Sequence, residues 1–233
     1  MMIGTMRVLG YVIVAPHQAW DKINQRGQWV WPLMLLAIAT IAAWSTYYSR
    51  VDIAWLQNHL LAESSDLKGR ELTLARELVG RRLLAMVTIV SSLAASVTVM
   101  LLTAGYLSLV ARVQRVSHVG SSWLVFSAWL TLPESCALLL TTLRVASDSN
   151  QQILPESANP LALSQLLGLG VDSPWLSLAA DMGLQTLWAL TLCVIGVSRW
   201  MKINLFRAVL IASLPLLLIY GTWALLILAG TSL

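Results

Sequence analysis

The sequence predicts an all-α polytopic membrane protein, a bundle of five transmembrane helices with short interfacial helices, and three observations carry that reading. Hydrophobic residues make up 58% of the chain and charged residues only 11%, more apolar side chain than a water-soluble domain of this length needs to bury one core. Five apolar runs are each about 20 residues or longer, enough to cross a bilayer: Val30 to Tyr48, Leu83 to Val110, Trp123 to Leu143, Trp175 to Ser198 and Ala208 to Gly230. Trp29, Trp31, Trp123, Trp175 and Trp200 fall at the ends of these runs, where an indole half-buries its ring among headgroups and keeps its N–H hydrated. Strands of a membrane barrel would alternate apolar and polar residues, and Leu33 to Ala43 shows no alternation.

Residues 1–29 form a cytoplasmic interfacial segment and 30–233 the membrane domain. Arg7 precedes the apolar stretch Val8 to Ala15 as in a secretory signal, but the stretch is short and a full span follows, so the segment is expected to stay uncleaved. Pro16 opens a short helix on which Ala19, Trp20 and Ile23 share one face while Asp21, Lys22 and Gln25 face water. Such a helix lies on the membrane surface or docks a partner. Pro32 and Pro174 sit where a missing N–H costs nothing, and Ser173 is placed to cap the fourth span.

After the first span, Ile53, Leu56, Leu60 and Leu61 share a helical face, and a charged helix from Asp66 is expected to run into the second span. Asp66 with Arg70, and Glu77 with Arg81, have the spacing of helical ion pairs. His59 and Glu63 share it too, but without a third ligand nearby they read as a solvated face. Before the fourth span, Asn159-Pro160-Leu161 looks like a helix start, followed by Leu163, Leu166 and Leu167 and stopped by Gly168. This short helix either lies on the membrane or closes over the bundle as a lid.

Orientation follows from Lys and Arg in short loops. Arg112 and Arg115 follow the second span and Arg199, Lys202 and Arg207 the fourth, with no acid in either loop, whereas Arg144 after the third is outnumbered by Asp148, Glu156 and Asp172. The N-terminus, with Arg7, Lys22 and Arg26, is therefore expected in the cytoplasm and the C-terminus across the membrane. The first loop opposes this weakly, since Arg50, Lys68, Arg70, Arg76, Arg81 and Arg82 are interleaved with Asp52, Glu63, Asp66, Glu71 and Glu77. The net charge of +4 is a topology signal, with no basic, aromatic-interleaved soluble face for nucleic acid.

Glu134 and Asp181 are the acids deepest in the apolar runs, and an ionisable group at membrane depth is a functional-site hypothesis by default. Counted from the outer helix ends, both lie about 9 to 14 Å inside. Three polar stripes are expected to converge: Thr88, Ser92 and Ser96; Ser127, Thr131 and Glu134; Ser177, Asp181 and Gln185. Pro133 cannot donate to the carbonyl of Trp129, which leaves an acceptor one turn from Glu134. Three fates are open to the pair: a shared proton, a salt bridge to Arg81 or Arg82 reaching from the second span, or coordination of a cation. Gln185, one turn from Asp181, completes the candidate ligand set.

Enzymatic chemistry finds no support. Cys136 and Cys193 are isolated, His17, His59 and His118 lie in separate segments, and no phosphate loop, zinc motif or nucleophile elbow occurs. No metal site and no cofactor is expected. A lipid-directed enzyme would need a reactive group near the interface, for which Asp181 is the near candidate.

Pro16 with Trp20 and Ile23, Trp31-Pro32, Pro133, Asn159-Pro160-Leu161 before Leu167-Gly168, and Asp181 followed by Leu187-Trp188 and Gly196 together resemble the Ypt-interacting (YIP) family, in particular its short bacterial branch. The resemblance implies five spans with termini on opposite sides and, for the bacterial branch, residence in the inner membrane with a periplasmic C-terminus. Eukaryotic members act in vesicle trafficking with Rab-type GTPases through a long hydrophilic N-terminal region that this chain lacks. The sequence reading is therefore an organising or accessory membrane protein that works through membrane lipids, a membrane-protein partner or homo-oligomerisation along small-residue helix faces. The alternative is a small transporter or channel for a cation, proton or lipid-like solute, using Glu134 and Asp181. Internal repeats would favour that alternative, and five spans do not divide evenly; Pro215 is a candidate kink without a counterpart.

Overall fold

The computed structural model describes residues 9–12, 14–26, 28–62, 80–116, 120–170 and 172–230. Outside them lie the helix expected from Asp66 with its Asp66–Arg70 pair, the partners Glu63 and Glu77 of His59 and Arg81, and Arg7 and His118. Among the described residues the α-helices from Pro16 onward are, in order, α1 Pro16–Arg26, α2 Val30–Arg50, α3 Ile53–Ala62, α4 Arg81–Val113, α5 Gly120–Trp129, α6 Leu132–Ser147, α7 Leu163–Leu166, α8 Leu176–Asp181, α9 Leu184–Met201 and α10 Leu205–Leu228, with a 3-10 turn at Pro155–Ser157. Among the described residues five segments are long and apolar enough to span a membrane: Val30–Arg50, Arg81–Val113, Ser122–Ser147, Leu184–Met201 and Leu205–Leu228. The protein is an all-α polytopic bundle.

The third span is interrupted beside Pro133, where the sequence reading places the lost backbone donor, and the fourth differs from that reading. The third bends between α5 and α6, where Leu130 and Thr131 turn back on Phe126, Ser127 and Ala128 and Pro133 lacks the N–H that would continue the ladder. The fourth is not continuous from Trp175. Helix α8 ends at Asp181, Met182 and Gly183 are extended, and α9 starts at Leu184. Hydropathy reads composition, and an apolar stretch looks the same whether its helix is whole or broken. Most other ends extend beyond the sequence reading, because charged residues such as Arg50, Arg81 and Arg112 continue the backbone pattern past the apolar core, while the start at Val30 agrees and α10 stops at Leu228, short of Gly230. Asn204, whose side chain accepts from the Arg207 N–H at 2.9 Å, caps α10.

The apolar face of α1 was expected to meet lipid or a partner; it is buried inside the molecule instead. Trp20, only 2% exposed, stacks on Phe126 at 4.1 Å between ring centroids and meets Trp200 edge-on at 6.0 Å. Trp123 and Trp200 close the cluster, 5.4 Å apart. Both had been assigned to the headgroup layer, and they do lie near helix ends, but their rings turn inward to one another. The Trp20 indole N–H donates to the Leu192 carbonyl at 3.0 Å and that of Trp200 to the Trp20 carbonyl at 3.3 Å. Gly196 makes this approach possible, since a Cβ there would stand 2.3 Å from Phe126 Cε2 and 2.7 Å from Trp20 Cε2.

At the other end of α2, Tyr47, Tyr48, Val51, Leu56, Val145 and Ala158 form a second cluster. The Tyr47 hydroxyl donates to the Ile153 carbonyl at 2.7 Å and Tyr48 shares a 2.8 Å hydrogen bond with Thr88. Asp52 accepts from the N–H groups of Ala54 and Trp55 and so starts α3. Of the expected α3 face, Leu56 is fully buried while Leu60 is exposed.

Truncating Trp20 to Ala removes a fully packed aromatic anchor, a change worth about 3–5 kcal/mol in protein cores. Thermal unfolding in detergent is expected to show a markedly lower midpoint for Trp20→Ala, and for Gly196→Ala through the clash at Phe126; an unchanged midpoint in both would contradict this packing.

Candidate functional site

Where the third and fourth spans break, the bundle encloses a half-open cavity of about 560 Å³, within the size range of small-molecule sites. Its wall is largely apolar, from Leu36 and Trp44 on α2, Val99 and Met100 on α4, and Leu190 and Cys193 on α9. The polar residues among its lining come from several directions: Ser96 on α4, Ser127, Thr131 and Glu134 around the bend of the third span, Asp181 and Gln185 on either side of the break in the fourth, and Glu156 and Asn159 from the loop between them.

Each polar group is placed by local backbone chemistry. Glu134 stands in the first turn of α6, just after Pro133, where a carboxylate faces the positive end of the helix dipole. Thr131 turns its hydroxyl onto the Ala128 carbonyl at 2.8 Å and Ser135 its own onto Thr131 at 3.0 Å, which supplies donors at the bend. Asp181 ends α8 because the chain then pairs with the preceding loop. The Leu163 N–H donates to the Met182 carbonyl at 2.8 Å and the Leu184 N–H to the Leu161 carbonyl at 3.0 Å, an isolated antiparallel bridge centred on Ala162 and Gly183. Gly183 is required by the approach: a Cβ there would stand 2.5 Å from the Leu161 carbonyl oxygen.

This pairing also revises the Asn159-Pro160-Leu161 motif. Asn159 does not begin a helix; its side chain accepts from the Leu161 N–H at 3.0 Å, turning the chain into the extended residue Ala162 just before α7. The helix shrinks to α7, stopped as expected by Gly168, whose φ of +62° suits glycine. Ala158, Ala162 and Ser164 are buried, so the loop packs into the bundle above the cavity.

Glu134, Asp181 and Gln185 therefore share one cavity, and the two carboxylates lie within electrostatic reach of one another. Both stay accessible from the cavity. Arg81 is not among them. Its guanidinium donates to the carbonyls of Tyr48 at 2.6 Å, Ser49 at 3.0 Å and Val51 at 3.2 Å, closing the C-terminus of α2, where a cation is favoured by the dipole. Arg82 is exposed and does not line the cavity. The expected salt bridge from these arginines is replaced by a neutral partner: the Tyr220 hydroxyl on α10 donates to Asp181 Oδ2 at 2.8 Å.

Tyr220 and Glu156 were missed in the sequence. Tyr220 is a lone phenol in the fifth span, five residues past Pro215, which also lines the cavity; Glu156 looks like an ordinary surface loop charge. The stripes converge in part, since Ser96, Ser127, Thr131, Glu134, Asp181 and Gln185 line the cavity while Thr88 is held by Tyr48 and Ser177 points elsewhere. Two side-chain atoms in the wall have no hydrogen-bond partner among the described residues, Ser127 Oγ and Gln185 Oε1. Their residues are 2% and 6% exposed, and buried polar groups are normally satisfied. Among the described residues no three His, Cys, Asp or Glu side chains stand close enough to hold a metal ion.

Gly183→Ala is expected to open the bridge between Leu161–Leu163 and the span break, lowering the unfolding temperature in detergent, whereas Gly170→Ala, in open space, should leave it unchanged. Equal midpoints for the two variants would contradict the tight approach at Gly183.

No curated protein and no solved structure matches the chain. The family model of the Yip1 domain matches residues 10–226, nearly the whole length, and the chain belongs to the Yip1 domain family.

Proposed function

We propose that the protein binds a small solute in its central cavity and acts as a small carrier in the membrane, with Asp181, Glu134 and Gln185 as the groups that hold the solute. The observation that supports this reading is the meeting of two interrupted spans around a cavity lined by Glu134 and Asp181. Secondary transporters build their sites from discontinuous helices in this way, because irregular backbone within a membrane is tolerated where it is buried in protein or lines a cavity. The chemistry is binding and passage rather than bond-making, and it needs no cofactor. The Lys and Arg distribution supports an N-terminus in the cytoplasm and a C-terminus across the membrane, and the resemblance to the short bacterial branch supports the bacterial inner membrane as the setting.

A second reading, an organising or accessory protein acting through lipid or protein contacts, is favoured by α4 and α10. Only 6% of the apolar window of each is buried, against 33% or more in the other three spans, so both helices present long apolar faces to lipid, another membrane protein or a second copy.

Purified protein in reconstituted vesicles tests the choice. A carrier is expected to move a cation, proton or amine across the vesicle wall and to lose most of that flux in Glu134→Gln with Asp181→Asn, while the doubly substituted protein keeps its unfolding temperature. Flux that survives the double substitution removes Glu134 and Asp181 as the groups that hold the solute, and no flux in the unsubstituted protein across these solutes favours the accessory reading; native mass spectrometry would then report the retained partner or copy number.

A further inference from the structure

We infer that the cavity is built for an organic cation, a free amine that carries an apolar body; this rests on the solute-binding reading and names the class of solute.

The first ground is the sign of the charge. Glu134, Glu156 and Asp181 reach the cavity from three separate elements, and no Lys, Arg or His is among the described residues lining it, although the chain as a whole carries 15 Lys and Arg against 11 Asp and Glu. Basic residues are thus absent from the described lining of a half-open cavity where acids gather. Carboxylates gathered around one low-dielectric space repel unless one takes up a proton or positive charge stands between them. An anionic solute would meet three carboxylates and no counter-charge.

The second ground is size. The carboxylates are spread around about 560 Å³ and do not converge closely enough to chelate a metal ion, so a bare cation would fill little of the space and leave the apolar walls without contact. An organic ammonium fits both features, with its charge among the acids and its hydrocarbon against the walls. Aromatic faces of Trp44, Tyr106 and Tyr220 also line the cavity, and such rings attract a cation through their quadrupole.

The third ground is the hydrogen-bond inventory. Asp181 has one oxygen engaged by Tyr220 and the other available, and Glu134 and Glu156 bring further carboxylate acceptors to the same lining. An ammonium group brings up to three N–H donors and no acceptor, which matches this surplus of acceptors. A zwitterionic lipid headgroup would bring its phosphate as well, and the described lining holds no cation to receive it. The assignment is therefore to a free amine.

The test is isothermal titration of the full chain in a neutral maltoside detergent with 2-phenylethylamine, its neutral isostere 2-phenylethanol and the anion 3-phenylpropionate. The expected result is that the amine binds about ten- to a hundredfold more tightly than the alcohol, the range of one or two hydrogen bonds to a charged group, and that the anion does not bind. In Asp181→Asn the preference for amine over alcohol collapses, with the alcohol isotherm and the unfolding temperature reporting that the cavity is still folded. Equal binding of amine and alcohol overturns the cation assignment and leaves a solute cavity standing; binding of none of the three removes both. Displacement of the amine by calcium or potassium at similar concentration overturns it in favour of an inorganic ion, and displacement by phosphatidylethanolamine in nanodiscs overturns it in favour of a lipid headgroup.

Discussion

The interruption of the fourth span leaves peptide groups that a bilayer cannot hydrate, and the residues either side of Ala162, Leu161 and Leu163, satisfy them. A backbone N–H or C=O without a partner in hydrocarbon costs several kcal/mol, so a helix broken in a membrane needs a second piece of chain to pair with. Here the piece is supplied by the loop before α8, through the hydrogen bonds Leu163 to Met182 and Leu184 to Leu161. Everything at the cavity follows from that pairing. It ends α8 at Asp181, starts α9 beside Gln185, and draws Glu156 and Asn159 inward with the loop. Tyr220 on α10 then reaches Asp181, which links the fifth span to the break.

Two further devices hold the bundle around this weak point. At one end the aromatic group of Trp20, Trp123, Phe126 and Trp200 ties α1 to α5 and α9, combining ring contacts with indole hydrogen bonds to backbone. At the other, Arg81 gathers the carbonyls at the end of α2 onto one guanidinium, and the tyrosines Tyr47 and Tyr48 fasten α2 to the loop and to α4. Between these clamps the third and fourth spans bend without closing on each other, so the polar side chains at the bends face a cavity rather than a packed core. The aromatic anchors lie at the ends of the bundle and the carboxylates Glu134 and Asp181 line the cavity between them, the arrangement expected where binding rather than rigidity is served.

The spans themselves were legible because bilayer thickness imposes a length and composition that hydropathy reads directly. Glu134, Asp181 and Gln185 were also legible, since acids and amides stand out against apolar runs. What could not be read was decided by partners distant in the chain. Whether the helix continues past Asp181 depends on Gly183 meeting Leu161, an approach with no local signature beyond a glycine. Trp123 and Trp200 look like headgroup anchors until each is seen to be the other's neighbour. Arg81 appeared free to reach the acids because the nearer carbonyls of α2 are invisible in a linear sequence, and Tyr220 acquires its meaning only from a carboxylate 39 positions earlier.

The pairing at the span break is most directly tested by amide hydrogen exchange on the protein in a lipid nanodisc. The N–H groups of Leu163 and Leu184 are predicted to exchange slowly, as slowly as those within α9, because each is bonded to a carbonyl of the other segment. Exchange at these two positions as fast as at the exposed loop residue Gln152 would show that the loop does not hold the break, and the account of the cavity would fall with it.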